Sequence, residues 1–254
     1  MKEAKAMAYV NMYGILGTLE NLCAMDGTAK EILSKLQKPV SLCFSVKGGP
    51  CCTFHFDRQG CRMTEGDGNC TAKMAFSGPE AFNNLIDHGK PGIPVKNPVQ
   101  VLSFLLGPFT ALTNRLTELL RPSEAALKDR AFFEESTELT LYTVAGAVCA
   151  LANQDSISRI SAQYTVDGEI ALGIRDGAQV TIRVKEHRFT AIKQASENPR
   201  AVMEFATVDL AAGLFAGKVS TINEMCKGTI RLRGMISMLD NVNRILDRVS
   251  VYLA

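Results

Sequence analysis

Two blocks of the chain alternate apolar and polar residues, and helical repeats flank both. In the first block Val40, Leu42, Phe44 and Val46 alternate with Ser41, Cys43 and Ser45; Gly48-Gly49-Pro50 turns the chain, and Cys52, Phe54 and Phe56 resume the apolar phase. In the second, Ile160, Ala162, Tyr164 and Val166 lead to Asp167-Gly168, Ile170, Leu172 and Ile174 lead to Asp176-Gly177, and Val180, Ile182 and Val184 follow. Period-two alternation predicts half-buried strands. An Asp-Gly pair between such strands predicts a hairpin with positive φ at both central residues. Each block therefore reads as a β-meander with one apolar and one polar face, covered on one side.

The segments after the meanders repeat. Ala72-Lys-Met-Ala-Phe76 and Ala201-Val-Met-Glu-Phe205 share the pattern A-x-M-x-F, and the same register sets Glu80 against Asp209 and Leu85 against Leu214. Both following helices run out at Gly-Lys, residues 89–90 and 217–218. Gly92-Ile-Pro-Val95 then lies opposite Thr229-Ile-Arg-Leu232, and each precedes a long amphipathic segment. In the second copy Met235, Met238, Leu239, Val242, Ile245, Leu246, Val249 and Leu253 trace one helical face, away from Asp240, Asn243, Arg244, Asp247 and Arg248. Val101, Leu102, Leu105, Phe109, Leu112 and Leu116 are the counterparts in the first. Ahead of the meanders, Thr28 and Glu31 form a capping box before Ile32, Leu33 and Leu36, and Leu141, Val144, Ala145, Val148, Leu151 and Ala152 give an equivalent helix.

Order repeated on this scale predicts a duplicated unit. The expected fold class is α+β: two tandem units, each a mostly antiparallel sheet of about five strands with helices packed on one face. The expected organisation is an N-terminal helical extension (1–27), a first unit (28–121), a charge-rich connector (122–136) and a second unit (137–254). Gly107-Pro108 interrupts the apolar run Val101 to Leu106 and predicts a kinked or split helix. A helix apolar on more than one side must bury both, against a second unit or around a ligand.

Composition narrows the function classes. At 254 residues the chain is far above the size at which disulfides or metals must hold a fold together. Lys and Arg total 28 against 26 Asp and Glu, a net +2 that argues against a dedicated nucleic-acid or anionic-membrane binder. The longest apolar run, Val144 to Ala152, is too short to span a bilayer, and Asn11, Thr18, Glu20 and Asn21 break up the core that a signal peptide needs. A soluble, cytoplasmic protein with no stable membrane insertion is expected. The eight cysteines, at 23, 43, 51, 52, 61, 70, 149 and 226, form no C-x-x-C pair. The cluster from Cys51 to Cys70 fits no common zinc or iron–sulfur spacing, and Cys52, Cys61 and Cys70 fall in step with Phe54, Met63 and Met74. Thiols on an apolar phase act as small buried hydrophobes, with redox sensing the remaining alternative.

Candidate chemistry is sparse. His55 and Asp57 share the outward phase of one strand, so the choice is between an acid–base pair and a solvated pair on an exposed sheet face. His88 ends a helix, and His187 lies in the charged hairpin Lys185-Glu186-His187-Arg188. No G-x-S-x-G, H-E-x-x-H or G-x-x-x-x-G-K-[ST] occurs, and Gly66-Asp67-Gly68 lacks the third glycine of a dinucleotide loop. Lys227, Arg231 and Arg233 border a strand whose default is a solvated face. No metal and no cofactor is called for. What is abundant is soft apolar lining: ten methionines and twelve phenylalanines, without a tryptophan.

Asn69-Cys-Thr-Ala-Lys-Met74, followed by a short helix ending in Gly-Lys, resembles the sterol carrier protein type two family. Lys227-Gly-Thr-Ile-Arg-Leu-Arg-Gly234, leading into a final amphipathic helix, resembles it again. The resemblance implies two such units, each a five-stranded sheet whose helices enclose an apolar tunnel for sterols, fatty acids or acyl chains, without catalysis. Pro94 departs from it, since proline removes a ladder donor and leaves the last strand of the first unit at an edge or degenerate. The implied function is non-enzymatic binding or transport of a hydrophobic small molecule. Its lining would be Met74, Phe76, Leu105 and Phe109 in one unit, and Met203, Phe205, Met225, Met238, Leu239 and Val242 in the other. The stripe on the last helix is worth ~12–24 kcal/mol gross if buried, which docks the helix and leaves only local opening near Val249 to Leu253. The alternative is a structural or protein-interaction module with a filled pocket, forming a homodimer.

Overall fold

The repeated strand and helix signals resolve into two units, Met1–Glu124 and Ala125–Ala254. The computed structural model describes residues 2–88, 94–96 and 98–253. The Gly-Lys stop expected at 89–90 and the start of the Gly92 segment lie outside them.

The first unit opens with α1 (Ala4–Tyr9), which runs through a π-helical stretch, Val10–Ile15, and a 3₁₀ turn, Leu16–Thr18, into α2 (Leu19–Met25). Asp26 ends it and starts α3 (Gly27–Ser34), its carboxylate accepting from the Ala29 N–H. The meander is β1 (Val40–Val46), β2 (Cys51–Phe56) and β3 (Cys61–Glu65). The chain then crosses to β4 (Ala72–Phe76), parallel to β1, and continues through α4 (Pro79–His88), β5 (Pro94–Lys96), α5 (Pro98–Phe104), a π-helical stretch Leu105–Phe109 and α6 (Thr110–Leu120). Sheet order is β3-β2-β1-β4-β5. β5 is three residues long, sits at the edge and pairs irregularly with β4, as a strand starting on proline must.

The second unit follows the same plan. It comprises α7 (Arg130–Gln154), α8 (Ser158–Gln163), β6 (Gly168–Ile174), β7 (Gln179–Lys185), β8 (Arg188–Ile192), β9 (Ala201–Phe205), α9 (Val208–Phe215), α10 (Thr221–Cys226), β10 (Ile230–Gly234) and α11 (Ile236–Leu253). Its sheet reads β8-β7-β6-β9-β10, with β9 parallel to β6 and the other pairs antiparallel. Gly217, at φ 65°, ends α9: its N–H bonds the Leu214 carbonyl and the Lys218 N–H reaches that of Gly213.

Several expectations are corrected. Residues 160–166 do not form a strand: Asp155 caps α8 through the Ser158 N–H at 2.9 Å, and the local cap overrides the alternation. Asp167-Gly168 is therefore a link from helix to strand. Asp176-Gly177 does join β6 to β7, but only Asp176 has positive φ (58°); the turn with positive φ at both residues is Glu186-His187 (52° and 61°). The cap of α3 is Asp26, not Thr28.

Residues 1–27 are no extension. Ala6, Ala8, Val10, Met12, Leu16, Leu19 and Leu22 are buried in the first unit, α1 packs on α4, and Asn11 donates to Asn83 at 3.0 Å. The charge-rich stretch contains the start of α7, capped by Asp129 through the Phe132 N–H at 3.1 Å. Gly107-Pro108 does not split its helix, because the π-helical stretch accommodates the proline and α6 continues beyond it.

Candidate hydrophobic ligand site

The inner face of each sheet is the apolar phase of its strands. In the first unit Leu42, Phe44, Val46, Cys52, Phe54, Phe56, Met74 and Phe76 are all buried there. The rings form one connected cluster: Phe44 lies 5.7 Å from Phe54, 6.5 Å from Phe76 and from Phe82, and 6.2 Å from Phe109. Phe56 lies 5.2 Å from Phe104 and 6.0 Å from Phe109. Seven phenylalanines, at 44, 54, 56, 76, 82, 104 and 109, thus interlock at spacings typical of favourable aromatic pairs. Of the residues expected to line a tunnel, Met74 and Phe76 are buried while Leu105 and Phe109 are half-buried, and Phe76 and Phe109 both meet Phe44.

In the second unit Met203 and Phe205 on β9 and Met238, Leu239 and Val242 on α11 are buried, and α11 packs on β9 and β10. Met225 is not among them: it stands 39% exposed on α10. Helix α9 reads Val-Asp-Leu-Ala-Ala-Gly-Leu-Phe, yet Ala211 alone is buried and Val208, Leu210, Ala212, Leu214 and Phe215 are half-exposed. Phe215 leans its ring on Phe205 at 5.9 Å. Ile236, where α11 begins, is 56% exposed.

A buried ion pair holds the far end of the last helix in each unit. In the first, the Asp26 carboxylate accepts from Arg115 Nε and Nη2 at 2.9 and 2.8 Å. In the second, fully buried Asp155 accepts from Arg248 Nη2 at 3.1 Å, the Tyr252 hydroxyl at 2.7 Å, and the Ser158 N–H and hydroxyl at 2.9 and 2.8 Å. Burial alone raises a carboxylate, but hydrogen bonds from Arg248, Tyr252 and Ser158 outweigh it and hold Asp155 at about 2. Each clamp ties the final helix to the helices that open its unit. The end near Val249 and Tyr252 is therefore clamped, contrary to the opening expected there. These aspartates and arginines were missed because each arginine reads as part of a solvated helix face. The signal was present: an aspartate directly after the opening helix and an arginine on the last helix occur in both copies.

The outer faces are polar. Both His55 ring nitrogens are engaged, Nδ1 with Ser41 Oγ and Nε2 with Thr64 Oγ1, each at 3.0 Å. Asp57 turns its Oδ1 to the Gln59 and Gly60 N–H groups at 2.7 and 3.0 Å, so the two side chains do not pair. An open polar cleft on the second sheet is lined by Arg183, Lys185, Glu186, Arg188 and Thr190, a poor match for an alkyl chain. Among the described residues no group of three or more His, Cys, Asp or Glu is arranged to hold a metal, and no helix is long and apolar enough to cross a membrane. Burial pushes the Cys43 thiol up to about 12, with the neighbouring Cys51 adding to it, and raises Cys52 and Cys149 further. Cys226 is exposed.

Two five-stranded sheets in this order have counterparts among solved structures. The fold is like that of sterol carrier protein 2. A crystal structure of that protein is 19% identical, covers 43% of this chain and 92% of its own, and has a TM-score of 0.34. The sterol carrier protein domain 2 of Helicoverpa armigera, solved in solution, is 14% identical over 45% of this chain and 89% of its own, with a TM-score of 0.36. A stereoselective inverting sec-alkylsulfatase from Pseudomonas sp. is 11% identical over 56% of this chain but only 28% of its own, with a TM-score of 0.29. No protein-family model and no curated protein matches the chain in sequence.

Proposed function

We propose that this protein binds a hydrophobic small molecule, a fatty acid, acyl chain or sterol-like compound, between an apolar sheet face and the helices over it, and carries it without chemical change. The observation that carries the reading is α9. A helix apolar on nearly every side belongs in an interior, yet Ala211 is its one buried residue, and it lies over the Met203 and Phe205 strand. An apolar ligand beneath α9 would give this surface the cover it lacks, and light packing lets the helix move to admit one. His55, bonded to Ser41 and Thr64 on the opposite face of its sheet, takes no part.

Titration with a pyrene-labelled fatty acid tests the reading. Saturable fluorescence enhancement, reversed by unlabelled fatty acid, is expected. A linear response with no saturation, from protein whose circular dichroism shows it folded, would contradict it. The ring cluster of the first unit favours a second reading for that half alone, a filled module that supports the fold without holding a ligand.

A further inference from the structure

The two units can be aligned residue on residue through their strand registers. Leu42 pairs with Phe54 and Ala72, and Ile170 pairs with Ile182 and Ala201, so these triplets correspond. The same register sets Phe44 against Leu172 and Phe56 against Val184. Phe82 lies six residues beyond Phe76, as Ala211 lies beyond Phe205; Phe109 lies six residues before the clamp arginine Arg115, as Val242 lies before Arg248. Thr53 and Thr181 check the alignment independently, each donating its hydroxyl to a carbonyl of the following crossover loop, Gly66 at 2.9 Å and Gln194 at 2.7 Å.

At Met74/Met203 and Phe76/Phe205 the units agree. At five other positions facing the helices the first unit carries a ring and the second does not: Phe44, Phe54, Phe56, Phe82 and Phe109 stand where the second unit has Leu172, Ile182, Val184, Ala211 and Val242, while at Val46/Ile174, Cys52/Val180 and Cys61/Phe189 the second unit has the larger residue. All five of the smaller residues are buried. The first unit thus fills the layer between sheet and helices with rings touching rings. The second lacks those five rings, sets the buried Phe189 beside Val184, and lays the partly exposed α9 across the layer. Phe205 with Phe215 is the one aromatic pair among its described residues on that side of the sheet. Interiors pack to a uniform density, so space vacated by rings is closed either by approach of the helices or by a guest. Helix α9 leaves four large apolar side chains partly exposed, Val208, Leu210, Leu214 and Phe215, against Leu85 and Ile86 on its counterpart α4, and this excess points to the guest.

We infer that the two units have divided their labour: the second binds one apolar molecule per chain, between its sheet and α9 and α11, while the first is closed by its phenylalanine cluster. This rests on the carrier reading and sharpens it to one site and one stoichiometry.

The test is photolabelling of the full chain with a diazirine fatty acid, with bound equivalents counted by titration. One equivalent is expected, with labelled peptides confined to 201–215 and 236–253. Ala211→Phe, which places a ring where the first unit has Phe82, is expected to weaken binding on the order of tenfold or more. Its fold is checked by circular dichroism, and the wild-type label map stands on its own if that variant does not fold. Two equivalents, or label within 72–120, would overturn the assignment and leave the carrier reading standing, as would full affinity in folded Ala211→Phe. No uptake by the wild-type chain would overturn the carrier reading and this assignment together.

Discussion

Asp155 does three things at once: it ends α7, caps α8 and receives Arg248 and Tyr252 from the last helix. Removing its charge strands a mostly buried guanidinium, so Asp155→Asn is expected to cost about 3 kcal/mol in urea unfolding at neutral pH. Its folded pKa lies below the unfolded one. The stabilisation is therefore complete above about pH 4 and is lost as pH falls toward about 2, a loss of about 2 kcal/mol. Asp155→Asn should lack that part of the acid slope; equal slopes in the two proteins would refute the clamp. Thiol reactivity offers a second residue-scale check. Exposed Cys226 should alkylate first in native buffer, whereas Cys52 and Cys149, buried with raised pKa values, should label only on unfolding. Rapid native labelling of Cys149 would show that its surroundings are not packed as described.

Among the elements, the ring cluster is where packing carries most energy in the first unit. Phe44 touches four other rings, so Phe44→Ala is expected to cost about 3–5 kcal/mol by denaturant unfolding, and a cost under about 1 kcal/mol would mean the cluster is loose. The junction between β10 and α11 depends instead on backbone. Gly234 holds φ 82°, and a Cβ there would run into the Arg200 carbonyl, so Gly234→Ala should lose at least about 1–3 kcal/mol through the backbone alone. What was legible in the chain at this scale followed physical cause. Strands with a buried face announced themselves by alternation, because a pleated strand sends every second side chain inward, and Met74, Phe76, Met203 and Phe205 are buried on such strands. Helix α8 was misread because Ile160, Ala162 and Tyr164 alternate by chance, while the deciding group, the Asp155 carboxylate, acts locally through the Ser158 N–H and hydroxyl. Met225, named as lining from the resemblance alone, stands 39% exposed, because an apolar residue type does not show that anything covers it. The clamps were invisible as pairs, since Asp26 and Arg115 are 89 positions apart and only the fold brings them together.

For the whole molecule, two units with the same strand order and the same clamp differ chiefly in what fills the space under their helices. That contrast sets a ring-filled layer in one half against a layer of smaller apolar side chains in the other. Among the described residues, the apolar layer of each half is built from Met, Phe, Leu, Ile, Val, Ala and Cys side chains. On the proposed reading, function at this scale is occupancy, and occupancy has a mass. Native mass spectrometry of the gently purified full chain, followed by solvent extraction, measures it directly. The prediction is a species above the 27.6 kDa chain by a single lipid-sized increment, recovered as a fatty acid or sterol-like compound in the extract. A bare chain mass alone, unchanged after incubation with fatty acids and sterols, would contradict the account.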